Sequence, residues 1–574
     1  MPPARHWPLA ALLVVASALI FTALGRDHFW ADEGDTAVLA RTILDQGVPS
    51  AWDGVTFTDS DFGKRLNADL VMVSSPWLQY YATAASFALL GETTFAARLP
   101  FAIAGLATIA MVYVLLWRVT GSVPTATTGA VLLTVSVQFL LYARQSRHYT
   151  LNALLTVLLL WQFRRLTSWR DSALFALTAI LLFHSHPIGL APILAMGVLT
   201  LIYAPCYAQR RAFWRSTPII VAGTVPWFFV ASEGYTEATN LLTEAGLFFP
   251  RMAQYLVEAV SVSSLAGAAA LALVLRWRLK PRAATLTQSR KKRAPLAPWR
   301  LLTPDARILT VTIFAIVGAY AIAMAVTQPR DVLWTVGMRY TPAVIPFGAM
   351  FAALVIGRAG AGRRGVWVAL VILFAFTKVA RPTPWLFWEE PTAARDRASA
   401  VTFHIPHGPL DRMFRTGQVA YLRSLLDEAP GTTARIVEFL KRHAQPHDIV
   451  ITNYAWEPIY FHTDLPQGLK VLPSYPIFQA ARAKNLPSYV FSPEGARWII
   501  WRKAWGAYRG QDCGRLIDAL RASGVTVTRV ASIPETLWEN RENIHFRRFA
   551  DDTYIYPWFE GIPDAEIYRV DWTR

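Results

Sequence analysis

The chain has 574 residues, 54% of them hydrophobic and only 17% charged, with a mean hydropathy of +0.30. That balance excludes a purely soluble protein, and the length allows more than one domain. The net charge of +17 suggests nucleic acid. However, the basic residues gather in short stretches between apolar runs, which is the positive-inside pattern of a membrane protein and excludes a nucleic-acid partner.

Taken in chain order, apolar stretches near the ~20 residues needed to cross a bilayer recur from Trp7 to Ala380. After Arg381 the chain carries charges, prolines and short alternating apolar runs, and no stretch is long enough to span. Residues 1–380 therefore read as a membrane part and residues 381–574 as a soluble α/β part. The two cysteines, Cys206 and Cys513, are divided between these parts and make no disulfide framework.

The candidate spans are 8–25, 99–117, 123–142, 149–163, 172–186, 187–204, 217–232, 252–275, 308–327, 340–357 and 365–380, eleven in all. Segment 76–91 is apolar but short and aromatic, and it decides the orientation of everything after it. If it does not cross, Arg118, the Arg164–Arg170 and Arg210–Arg215 loops, the Arg276–Arg307 run and Arg358–Arg364 all share a side with Arg5. That side then carries 21 basic residues and only two acids, Asp171 and Asp305. The positive-inside rule thus reads 76–91 as a helix lying on the outer surface, with the N-terminus inside and the tail outside.

The outer segments hold the residues suited to chemistry. Residues 26–98 open with Trp30-Ala-Asp-Glu-Gly-Asp35, followed by a predicted helix from Thr36 to Gln46 that ends at Gly47. Asp32, Glu33 and Asp35 are candidate general bases or metal ligands, or simply acids favoured at a helix N-terminus. The turn Tyr142–Tyr149 supplies Arg144, Arg147 and His148, and the segment 328–340 supplies Arg330, Arg339 and Tyr340. Arginines at a membrane surface suit phosphate, because a guanidinium can donate two hydrogen bonds at once, although such arginines also snorkel without function. His184 and His186, flanking a tight outer turn before Pro187, are two residues apart and share no helical face, so they make a weak metal site. A divalent metal would fall to Asp32, Glu33, Asp35, His184 and His186.

Five stretches together resemble the GT-C fold glycosyltransferases that use polyprenyl-phosphate sugars, the protein O-mannosyltransferases and the lipid A aminoarabinose transferase. They are Trp30 to Leu44, Ser75-Pro-Trp-Leu-Gln-Tyr-Tyr81, Phe95 to Gly105, Phe139 to Tyr149, and Met338-Arg-Tyr-Thr-Pro342 with Pro346. They lie in the family's order and cover most of residues 26–360, which favours an uncleaved first span at 8–25. The resemblance implies a catalytic domain over 1–380, with a first outer loop, 26–98, that carries two surface helices. It implies that Asp32 takes a proton from the acceptor hydroxyl, with Glu33 orienting it or an incoming group. It also implies inverting displacement of a sugar from polyprenyl phosphate, with Arg144, Arg147, Arg330 and Arg339 offsetting the charge on the phosphate. The family's basic residue before its proline pair is replaced here by Ser74 and Ser75, with Lys64 and Arg65 as nearby substitutes.

In the tail, Ala434–His443 reads as an amphipathic helix, Asp448–Asn453 and Arg497–Trp501 as strands, Cys513–Ala522 as a helix and Val525–Val530 as a strand. No catalytic motif stands out there, so the tail reads as a lid or acceptor-docking domain. The whole reads as a multi-pass bacterial inner-membrane glycosyltransferase with an extracytoplasmic α/β domain. Its partners would be a lipid-linked sugar donor, membrane lipid and a glycan, lipid or protein acceptor. A transporter or a scaffold for envelope polymer assembly is the competing reading, but the spans carry few charges and no repeat relates the two halves. A cysteine placed near Gly91 should react with an impermeant thiol reagent added outside; labelling only from the cytoplasm would reverse the orientation of 76–91.

Overall fold

The computed structural model describes residues 6–58, 66–73, 75–203, 207–231, 248–249, 251–253, 255–256, 259, 263–278, 302–327, 342–377, 418–426, 430–469, 475–505, 512–535 and 563–572. Helices α1 (Trp7–Phe21), α4 (Thr94–Thr120), α5 (Val123–Thr134), α6 (Val137–Ala143), α7 (Tyr149–Phe163) and α8 (Trp169–Ser185) build the first half of a helical body. Helices α9 (Leu190–Tyr203), α10 (Tyr207–Val230), α11 (Leu265–Arg278), α12 (Pro304–Thr327), α13 (Ile345–Ala359) and α14 (Arg364–Phe376) build the second. One continuous apolar core runs through both halves. A helix is found at each of the eleven expected spans.

Length limits what these helices do. Two of them, Thr94–Thr120 and Pro304–Val326, are long and apolar enough to cross a membrane. The pair α5 and α6, bent by 67°, makes a third if it is one span. The helices Tyr149–Phe163 and Ile345–Ala359 have 15 residues each, about 22 Å of helix against a ~30 Å hydrocarbon core. The described residues therefore do not establish eleven crossings.

Two helices lie at one end of this body. α2 (Ala31–Gln46) starts five residues earlier than the sequence suggests, because Trp30 is extended and Asp32 and Glu33 fall in the first turn, where acids complement the helix dipole. It ends as expected at Gly47, whose φ of 77° is the left-handed conformation open to glycine. α3 (Leu78–Leu90) is the short segment of uncertain status, 13 residues long and packed on α2 and α4. Its buried face carries Gln79, Thr83 and Ser86 at helical spacing. Ser86 Oγ donates at 2.6 Å to the carbonyl of Ala96, which Pro100 leaves without its helical N–H partner.

The tail forms a four-stranded sheet from β1 (Ile449–Thr452), β2 (Ala496–Arg502), β3 (Thr526–Ile533) and β4 (Ala565–Asp571), in the order β1-β2-β4-β3. β1 and β2 are parallel, and β4 runs antiparallel to both of its neighbours. The helices Thr432–His443 and Cys513–Ala522 stand where the sequence puts them. The helix Trp456–Thr463 and strand β4 were not foreseen. Helix Gln418–Leu426 lies past the expected boundary at 381 yet belongs to the helical body. Gln418 donates to the carbonyls of Val135 and Ala375, and Tyr421 to that of Leu19.

The sheet domain is packed directly onto the 26–98 region. Helix Trp456–Thr463 lies along α2 so closely that a Cβ on Gly34 would come 2.5 Å from Pro458 Cδ. Phe461 packs against Phe29 and Phe87, and Arg41 bonds Asp464 at 3.0 Å. At this interface the rings of His28 and His462 are 4.2 Å apart. Burial first, then Lys441 and Arg98, holds His28 down to about 4, with Asp27 opposing. Burial, then His28, Lys441, Arg98 and Arg41, holds His462 down to about 2.

Both imidazoles are therefore neutral when docked, and an undocked state binds more protons below their ordinary value near 6.5. Docking is complete above that pH and should weaken by up to about tenfold per pH unit per histidine as pH falls from 6.5 toward 4. Limited proteolysis of the tail across that range should accelerate at low pH, and His462→Phe should flatten the dependence. An equally steep profile in that variant would remove the pair as its source.

Candidate active site

The site is organised by an ion pair buried in the protein interior. Glu33 is 0% exposed and Arg98 is 1% exposed. Arg98 Nε and Nη2 each donate to a Glu33 carboxylate oxygen at 2.8 Å, the two-pronged geometry a guanidinium allows. The remaining Arg98 protons go to the carbonyls of Leu24, Asp27 and His28 at 2.9, 2.9 and 3.2 Å. Glu33 Oε1 also accepts from the Ser146 amide at 2.8 Å. One carboxylate therefore joins α2 to the start of α4 and to the 144–148 turn.

Asp32 is next to Glu33 but on another face of the helix, with 18% of its side chain exposed. Arg147 Nη2 lies 3.4 Å from Asp32 Oδ2. Arg147 Nη1 donates to Thr36 Oγ at 3.1 Å and to the Asp32 carbonyl at 3.2 Å. Burial works against the charge on Arg147, but Asp32, Tyr149, Tyr80 and Asp35 outweigh it and raise the guanidinium above its ordinary value. The site thus joins Asp32, Asp35 and Thr36 from α2, Tyr80 from α3, and Arg147 with Tyr149 from the 144–149 turn.

Other expected residues are employed differently. The Arg144 guanidinium donates to the carbonyls of Leu19, Ile20, Thr22 and Ala23 at 3.4, 2.7, 2.6 and 3.1 Å. It caps the C-terminal end of α1, where helix carbonyls lack partners. His184 Nε2 donates at 2.9 Å to the Gly223 carbonyl, in the turn that Pro226 opens within α10. His186 Nδ1 accepts from the Ile188 amide at 3.3 Å, and its ring stacks on His148 at 4.4 Å. The two histidines therefore face different neighbours, and among the described residues no three His, Cys, Asp or Glu side chains form a metal-ligand group. Lys64, Arg65, Ser74, Cys206, Arg330, Arg339, Tyr340 and the basic run 279–300 lie outside the described residues.

Sequence reasoning passed over Arg98, Tyr80 and Gln79. Arg98 carried the one available signal, a charge at the head of an apolar helix, which is tolerated only with a partner. Its partner, 65 positions earlier in the chain, could not be named from spacing.

No family model matches the chain, and no curated protein matches it in sequence. Solved structures do match. The apo structure of ArnT from Cupriavidus metallidurans aligns with a TM-score of 0.53 at 15% identity, covering 92% of this chain and 96% of that one. ArnT from the same organism bound to undecaprenyl phosphate aligns with a TM-score of 0.53 at 16% identity, over the same shares. The chain has the fold of ArnT. That likeness of fold agrees with the GT-C fold expected from the sequence, without the expected count of eleven spans. The oligosaccharyltransferase AglB from Archaeoglobus fulgidus aligns more weakly, with a TM-score of 0.41 at 13% identity over 91% of this chain and 71% of that one.

Glu33→Gln replaces an acceptor of three hydrogen bonds with a neutral amide and strands the Arg98 charge in the interior. Breaking such a pair costs about 3–5 kcal/mol. Thermal unfolding of the purified variant should show a large fall in Tm, and an unchanged Tm would assign the fold's organisation elsewhere.

Proposed function

We propose that this protein is an integral membrane glycosyltransferase that moves a sugar from a polyprenyl-phosphate donor to an acceptor hydroxyl at the outer face of the bacterial cytoplasmic membrane. The observation that carries this reading is the Asp32–Arg147 pair, set at the end of the helical body beside the docked tail. In ArnT, the same fold holds undecaprenyl phosphate. An anionic lipid headgroup needs a fixed cation at the membrane surface, and Arg147 is buried, charged and held by neighbours on two helices.

In the proposed reaction the acceptor oxygen attacks the anomeric carbon as its proton passes to the Asp32 carboxylate. The bond from that carbon to the phosphate oxygen breaks, and its electron pair leaves with the phosphate. Attack opposite the leaving group inverts the anomeric centre. The phosphate is anionic when it leaves, so it needs charge compensation more than a proton, and Arg147 supplies it. Arg330 and Arg339 remain proposed second cations. Glu33, saturated by Arg98 and Ser146, positions Asp32 and does not meet substrate. The tail, pressed against α2, forms one wall of the acceptor approach.

Purified Asp32→Asn should melt close to wild type and lose at least about a hundredfold in transfer from undecaprenyl-phosphate sugars. Arg147→Gln should chiefly weaken donor binding. Wild-type turnover in Asp32→Asn would reject Asp32 as the base.

A further inference from the structure

Two arginine–carboxylate pairs form at the first turn of α2, and they differ in closure. Arg98 Nε and Nη2 each reach a Glu33 oxygen at 2.8 Å. Arg147 Nη2 stands 3.4 Å from Asp32 Oδ2, beyond the about 2.7–2.9 Å of a charge-assisted hydrogen bond. Both arginines are buried, but they are anchored differently. Arg98 is held from the 24–28 turn, through the carbonyls of Leu24, Asp27 and His28, and its Nε–Nη2 edge faces Glu33. Arg147 is held from α2 itself, where Nη1 donates to Thr36 Oγ at 3.1 Å and to the Asp32 carbonyl at 3.2 Å.

Thr36 is four residues beyond Asp32 on α2 and is 0% exposed. Its hydroxyl donates to the Asp32 carbonyl at 3.0 Å, so the proton is committed and a lone pair is left for Arg147. One hydroxyl thereby fixes the guanidinium against the helix backbone. Without it, Nη1 keeps a single anchor on α2, and the guanidinium is free to turn until two of its nitrogens face the two Asp32 oxygens, as Arg98 does with Glu33. Both carboxylate oxygens would then be occupied, and the Arg147 charge would be neutralised within the protein. The other ionisable groups facing Arg147 are Asp35, Tyr80 and Tyr149. The neighbouring Glu33–Arg98 pair is already closed on itself.

We propose that Thr36 is a positioning residue that keeps Arg147 from closing onto Asp32 as a two-pronged pair, so that the carboxylate is available to a proton and the guanidinium to a phosphate. That this pair serves sugar transfer rests on the function proposed above, whereas the spacing itself does not.

The test uses full-length protein in lipid nanodiscs. Thr36→Val and Thr36→Ala both remove the hydroxyl, the second without the added methyl, and Thr36→Ser keeps it. Isotope-edited infrared difference spectra of protein carrying 13C-aspartate, with Asp32→Asn as the blank, follow protonation of Asp32 without any substrate. The midpoint should move down by about one pH unit in Thr36→Val and Thr36→Ala, and stay at the wild-type value in Thr36→Ser. Affinity for undecaprenyl phosphate should fall about tenfold in the first two variants. In transfer from undecaprenyl-phosphate sugars their kcat should fall at least about threefold, with its acidic limb displaced to lower pH. The sign follows because a carboxylate held tightly by a guanidinium loses its proton at lower pH and is a weaker base. A threonine that only filled space would leave that limb in place.

An unshifted Asp32 titration in both Thr36→Val and Thr36→Ala would overturn the assignment, and so would a Thr36→Ser protein that behaves like Thr36→Val. A shifted titration in a protein that transfers no sugar would uphold the spacing and remove the function proposed for the chain. Wild-type transfer with an unshifted titration would remove the spacing and leave that function standing.

Discussion

The structure around the site depends on the pairing of Glu33 with Arg98. A charge placed in an apolar interior must find its opposite and also have its remaining hydrogen-bonding capacity filled. Both conditions are met here. Arg98 is divided between a carboxylate and three carbonyls of the 24–28 turn, and Glu33 between a guanidinium and the Ser146 amide. No partner can be moved without stranding another. The first turn of α2, the head of α4 and the 144–148 turn are consequently held as one unit, and Asp32 and Arg147 are the nearest residues on either side of it.

This arrangement separates two kinds of arginine in a single turn. Arg144 and Arg147 are three residues apart, and both are buried. Arg144 spends its donors on the carbonyls that end α1, a demand that every helix end creates. Arg147 faces carboxylates and phenols instead, and its charge is held by groups that a ligand could join or replace. The same contrast divides Asp32 from Glu33. Adjacent residues on a helix point about 100° apart, so one carboxylate enters the interior and the other reaches the rim.

Helix Trp456–Thr463 of the tail and α3 both pack on α2. α3 turns its polar stripe of Gln79, Thr83 and Ser86 inward, toward Ser146, the His148 amide and the Ala96 carbonyl. Helix Trp456–Thr463 closes over α2 at Gly34, where the absence of a side chain permits the approach. Trp30, at the head of α2, packs on Tyr454 and Ala455 of the tail. The sheet domain is thus in contact with the residues immediately preceding Asp32.

Much of this was determined by the sequence itself. Apolar run length located the helices, and alternation in the tail yielded three of four strands. These signals are local, since periodicity and composition act within a few turns of chain. Tertiary structure alone decided the pairings that join distant positions. Strand β4, nearly at the end of the chain, inserts between β2 and β3, a placement that depends on edges formed some tens of residues earlier. Spacing could not tell that Glu33 would be buried while Asp32 was not, that Arg144 would cap a helix, or that His184 would serve a carbonyl near a proline. Each outcome turns on which orphaned donor or acceptor the fold brings within about 3 Å, and that distance is a property of packing, not of sequence order.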